Sequence, residues 1–134
     1  PACIWFQSFK HNGITHINVI DEIIHQKNIK LDMFISMFKA RPWRITRVYG
    51  DPAGYQVQSS VGVGEAEIFY QKTGHRVFAL RDRASRSIAS GISHVRGFIR
   101  SADDVIRLHI SKKCIGLIED LESYRYPEQK MVHI

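Results

Sequence analysis

RITRVYGDPAG, residues Arg44 to Gly54, alternates apolar side chains at Ile45, Val48 and Tyr49 and then breaks into glycine, aspartate, proline and glycine. That is a strand which stops abruptly at a carboxylate. Pro52 removes the donor that would continue strand pairing, and Gly54 permits a sharp exit. Asp51 therefore belongs at the carboxyl end of a strand, where open α/β sheets gather ligands and chemistry. The plainer alternative is a turn residue whose carboxylate bonds its own backbone. Both accounts of Asp51 stay open on this segment alone.

The same alternation between strand and helix periods extends in both directions. Upstream, residues 2–9 (ACIWFQSF) and 15–24 (THINVIDEII) have strand character, and Lys10-His11-Asn12-Gly13 between them supplies a hairpin turn. From Asn28 to Ala40 the period becomes helical: Ile29, Phe34, Met37 and Phe38 share a face, Asp32 is a candidate cap and Pro42 ends the element. Downstream, a helix is expected from about Ser60 to Thr73, capped by Ser59 or Ser60 and stopped by Gly74. A short strand follows over Arg76 to Leu80. Ser87 to Ala102 carries Ile88, Ile92, Val95 and Ile99 at helical spacing, Val105 to Ile110 is a strand, and Lys113 to Tyr124 is a helix with Cys114, Leu117, Ile118 and Leu121 on its apolar face. The order is β-β-α-β-α-β-α-β-α. It predicts an α/β fold with a mixed sheet, antiparallel in its leading strands, and helices on both faces.

The chain of 134 residues is expected to be one domain, and with 44% apolar residues it can bury a core. No stretch reaches the roughly 20 apolar residues that span a bilayer. Cys3 and Cys114 form no CxxC pair and imply neither a disulfide framework nor a zinc site, so a reducing, cytosol-like compartment is expected. The opening Pro1-Ala2-Cys3 begins inside an apolar run without a methionine, which reads as a piece of a longer chain or as a processed natural start. The ending, Lys130 to Ile134, also looks cut.

Net charge is +6, concentrated in residues 81–100, where Arg81, Arg83, Arg86, Arg96 and Arg100 oppose only Asp82 (five minus one, +4). A focused basic segment suits a polyanion, because each neutralised phosphate releases condensed counterions. The alternative is a solvated, arginine-bearing helix face.

Several chemistries drop out. The glycines after Asp51 are not followed by the Gly-Lys-Ser/Thr of a phosphate cradle, and no GxGxxG opens a helix. The seven histidines form no metal motif, and His109, in an apolar strand, is expected to be a satisfied core or edge residue. There is no GxSxG elbow. Carboxylates with magnesium remain, since two-metal phosphodiester hydrolysis needs several converging acids. Asp51 is suitably sited. Asp21 and Glu22 lie near the end of the second strand, whereas Glu119, Asp120 and Glu122 have the spacing of a solvated helix face.

Three segments together bring out a resemblance: YGDPAG at 49–54, SRSIASGISHVRGFI at 85–99 and CIGLIEDLESYRYPE at 114–128. They resemble the C-terminal nuclease domain of the large terminase subunit of tailed bacteriophages, whose pattern runs from Asp-Pro-Ala through Ser-Ile-x-x-Gly-Ile-x-x-Val to Cys-x-x-Leu-Ile-x-Glu-Leu-x-x-Tyr-x-Tyr. Ser87, Ile88, Gly91, Ile92 and Val95 match the middle block, and Cys114, Leu117, Ile118, Leu121, Tyr124 and Tyr126 match the last. The resemblance covers about residues 15 to 128.

It implies an RNase H-like fold and a Mg²⁺- or Mn²⁺-dependent endodeoxyribonuclease that cuts double-stranded DNA during viral packaging in the host cytoplasm. Portal and small terminase subunit are the implied partners. Asp51 carries over as a catalytic metal ligand. The family's other acids are expected in sequence before Pro1 and after Ile134, so the segment alone is expected to be inactive. Arg81, Arg83 and Arg86, on the chain leaving the strand RVFAL, would grip DNA phosphates without regard to sequence. The competing account is a non-catalytic α/β module that binds nucleic acid or a motor partner.

Overall fold

A computed structural model describes residues 1–50, 64–79, 95–100 and 103–124 of the chain. Asn12 and Gly13 turn the backbone with φ of +52° and +76°. Positive φ at both central residues is what a tight hairpin loop matched to the strand twist requires, and Asn-Gly is the pair that supplies it. The turn joins β1 (Cys3–His11) to β2 (Ile14–Ile23) as an antiparallel pair, from His11 opposite Ile14 to Cys3 opposite Ile23. Between Trp5 and Phe6 the register moves from Asp21 to Val19, which leaves Ile20 as an extra residue in β2.

Ile29, expected inside the first helix, lies before it. Asn28 is left-handed (φ +57°) and Lys30 is extended (φ −90°, ψ 165°), so α1 spans Leu31–Lys39. Asp32 is not its cap. It sits in the first turn, where its Oδ1 accepts the Met33 N–H at 3.1 Å and its charge faces the positive end of the helix. The helix ends at Ala40, before Arg41, whose helical conformation Pro42 disfavours. Phe34, Ile35 and Phe38 are buried and join Trp5, Ile23 and Phe69 in one core.

β3 (Val48–Gly50) is shorter than the strand expected from Arg44, though Trp43 and Ile45 still pack against the core. α2 (Glu65–Thr73) starts after Gly64, so the expected cap at Ser59 or Ser60 is displaced. It stops as expected at Gly74, left-handed at φ +80°, with its N–H donating to Tyr70 O at 2.8 Å. β4 (Val77–Ala79) pairs parallel with β3, and β5 (Leu108–Ile110) pairs parallel with β2. α3 (Ile115–Ser123) follows fully buried Cys114. Residues 95–99 are helical; the rest of the helix expected over Ser87 to Ala102 lies outside the described residues, apart from Arg100.

The protein is thus a mixed α/β structure containing a sheet of antiparallel and parallel strands in the order β1-β2-β5. Among the described residues β3 and β4 form a separate parallel pair rather than extending that sheet. Among the described residues β1 is an edge strand, with Ile4, Phe6 and Phe9 each at least 40% exposed. The Phe6 and Tyr49 rings stack at 6.5 Å and join the flank of β1 to β3. Among the described residues no helix is long and apolar enough to cross a membrane.

Candidate functional site

The described element that immediately precedes Asp51 in sequence is β3. Its three residues face β4 in register, Val48 with Val77, Tyr49 with Phe78 and Gly50 with Ala79, and the pairing is parallel. Both strands therefore release the chain at the same end. Gly50 is tightly held there, because a Cβ at this position would lie 2.5 Å from Val77 Cγ1. The absence of a side chain at Gly50 leaves room for the Val77 side chain. Asp51, Arg81, Arg83 and Arg86 lie outside the described residues, so the expected contacts of this constellation are not described. In sequence, Asp51 directly follows Gly50, and Arg81 comes two residues after Ala79.

Asp21 and Glu22 are engaged elsewhere. Asp21, with a side chain 14% exposed, accepts the Trp43 indole N–H at 2.7 Å and the Glu22 backbone N–H at 2.8 Å, both through carboxylate oxygens. Arg41 Nε lies 3.0 Å from Asp21 Oδ2, off the hydrogen-bonding direction, so this contact is an ion pair; its Nη2 donates instead to Glu22 O at 3.2 Å. Burial by itself pushes the Asp21 carboxyl up. The Trp43 and Glu22 hydrogen bonds and the Arg41 and Lys113 charges outweigh it and hold the group below its ordinary value. Glu22 points at the start of α3: its Oε1 accepts the Gly116 N–H and its Oε2 the Leu117 N–H, both at 2.8 Å. A carboxylate at a helix N-terminus satisfies orphan donors and meets the positive end of the dipole. Both acids thus hold the fold together.

Glu119, Asp120 and Glu122 are exposed, as their spacing predicts. Asp120 Oδ1 meets His25 Nε2 at 2.9 Å on the surface. Among the described residues no group of three or more histidines, cysteines, aspartates or glutamates could hold a metal ion. These residues do not by themselves fit the implied pair of cations. Burial pushes the Cys3 thiol up to about 12, against the opposing pull of Arg41, and also raises Cys114, so neither offers a thiolate near neutrality. A surface cavity of about 670 Å³ lies beside α1, lined by Gln26, Lys27, Asn28, Lys30 and Met37 among others; it is built from one contiguous stretch of chain and draws in none of the expected site residues.

One cluster was invisible in the sequence. His16 Nδ1 and His109 Nε2 share a hydrogen bond of 3.1 Å across 93 residues of chain. Their rings lie 5.4 Å apart at 13°, the Phe9 ring stacks on His16 at 5.2 Å, and His11 meets His16 edge-on at 6.0 Å. His16 is 8% exposed, whereas His109 is exposed on β5, an edge strand among the described residues. Beside them the Arg107 guanidinium lies over Phe98 at 4.8 Å. The only sequence signal was a histidine in each of two apolar strands. Their meeting depends on β2 and β5 being neighbours, which spacing does not encode.

No protein-family model, no curated protein and no solved structure matches the chain.

Proposed function

We propose that this chain is the RNase H-like nuclease domain of a viral DNA-packaging terminase large subunit, a Mg²⁺- or Mn²⁺-dependent endonuclease for double-stranded DNA. The observation that carries this reading is the parallel pairing of β3 with β4. One strand leads in sequence to the Asp-Pro-Ala-Gly segment and the other to Arg81, Arg83 and Arg86, and both run out at a common end. Acid and phosphate-binding cations leaving adjacent parallel strands are what a sequence-independent phosphodiesterase needs. The metal ions would polarise the scissile phosphate and activate water. One carboxylate does not hold two of them, and the resemblance implies that the remaining acids lie in flanking sequence.

The test is Mn²⁺-dependent nicking of supercoiled plasmid by the protein that carries this chain with its flanks. Asp51→Asn is expected to abolish nicking with unchanged circular dichroism; undiminished nicking would make Asp51 a turn residue. Replacing both Arg83 and Arg86 with alanine is expected to weaken duplex binding and reduce its salt slope, by about 0.9 for each phosphate that is no longer neutralised. An unchanged slope would remove these two arginines from the DNA surface.

A second reading, a non-catalytic module that binds nucleic acid or a motor partner, is favoured by the engagement of Asp21 and Glu22 in structural contacts. Duplex binding without nicking by the flanked protein, in either metal, would select it.

A further inference from the structure

We propose that His16 and His109 form a proton-operated latch, which fastens β5 to β2 while the pair shares one N–H and releases β5 when both rings are protonated. This does not depend on the nuclease reading. Its basis is the arrangement of donors. A neutral imidazole offers one N–H and one lone pair, so Nδ1 of His16 and Nε2 of His109, 3.1 Å apart, hold a hydrogen bond only while one of the facing nitrogens is bare. A pair carrying two extra protons turns two N–H groups and two positive charges against each other.

Among the described residues, the charged groups that bear on His16 favour its neutral form. From β1, His16 faces Phe9 and His11; from β5 and its approach it faces His109 and Arg107. The groups bearing on it are two imidazoles, a guanidinium and an apolar ring. Asp103 lines a cavity of about 160 Å³ with Arg107, Ile14 and Val105. Burial pushes His16 below the ordinary histidine value, and His109, His11 and Arg107 push it the same way. The sign follows: a histidine lowered in the folded state binds its proton more readily when released, so the closed form is fully favoured above about pH 6.5 and weakens as pH falls below it.

What the latch holds is small. β5 meets β2 over three residue pairs, Ile17 with Leu108, Asn18 with His109 and Val19 with Ile110. Its flanking backbone bonds are Ile17 N–H to Arg107 O at 2.8 Å and Ser111 N–H to Val19 O at 2.9 Å. Those two amides report directly on release.

Amide hydrogen exchange at pH 8 and at pH 5.5, each expressed as a protection factor, tests the latch. Protection at Ile17 and Ser111 is expected to fall on acidification, by about tenfold per pH unit for each proton taken up on release. Phe34 and Ala40, bonded within α1 to Lys30 O and Ser36 O, are expected to keep theirs. His109→Gln, at an exposed position, is expected to diminish the acid-dependent loss to what His16 alone contributes, while His11→Gln is expected to retain most of it. Equal protection of Ile17 and Ser111 at both pH values overturns the proposal, as does an acid loss undiminished in His109→Gln. Parallel loss in α1 would mean global unfolding and overturns it too. If His109→Gln fails to fold, the His16 and His109 Cε1 proton shifts of the unaltered protein decide instead: coupled titration supports the latch, and independent titration overturns it.

Discussion

Phe38→Ala is expected to lower the stability of this protein by about 3–5 kcal/mol, read as a shift in the urea midpoint at constant slope. Phe38 is 7% exposed at the centre of the apolar cluster. Its ring stacks on Trp5 at 5.5 Å and meets Phe69 edge-on at 4.9 Å and His75 at 6.2 Å, so one side chain ties the hairpin to α1 and α2. Truncation loses the transfer free energy of the ring and leaves a cavity that three rings on separate elements cannot jointly close. Against a domain stability of about 5–15 kcal/mol this is a large fraction. Met33, on the same helix but 59% exposed, is the control, and its alanine variant is expected to stay within about 0.5 kcal/mol. Equal losses at the two positions would mean that the core is not organised around this ring.

Asp21→Ala is expected to cost about 2–3 kcal/mol at pH 7, because it leaves the Trp43 indole N–H without its acceptor and Arg41 without its counter-charge. The figure is below that for a fully buried pair, since Arg41 is 30% exposed and can turn to water. The effect also has a pH signature. Asp21 is held below its ordinary value of 3.8 in the folded protein. Its contribution is therefore present above that value and lost as pH falls through the lower folded value. Denaturation curves of the two proteins should converge in strong acid; a gap that persists there would assign the loss to packing alone.

Local chemistry was legible wherever a residue determines its own backbone. Asn12-Gly13 specified the hairpin, Gly74 stopped α2, and the spacing of Phe34 and Phe38 gave the buried face of α1. Strand lengths were not legible, because a partner sets them. α2 and its Gly74 cap occupy the chain up to residue 74, so β4 begins only at Val77 and β3, paired with it in register, begins only at Val48. Likewise β5 does not begin at Val105, since the Arg107 N–H is already given to Phe98 O at 2.7 Å. The candidate site was legible as a motif but not as a constellation. The sequence marked Asp21 and Glu22 as acids near a strand end, yet Trp43, Gly116 and Leu117, which claim them, lie 22, 94 and 95 residues from their respective partners.

The parallel contact of β5 with β2 also bears on how the protein is made. His109 leaves the ribosome 93 residues after His16, roughly 5–20 seconds later at ordinary elongation rates. The hairpin can zip within microseconds of emerging, but the flank of β2 that receives Leu108 to Ile110 must wait through that interval. Val19, only 3% exposed once the fold is complete, is a hydrophobic surface on the nascent chain for that time. Slowed translation downstream of the hairpin should therefore lengthen the window in which chaperones engage it.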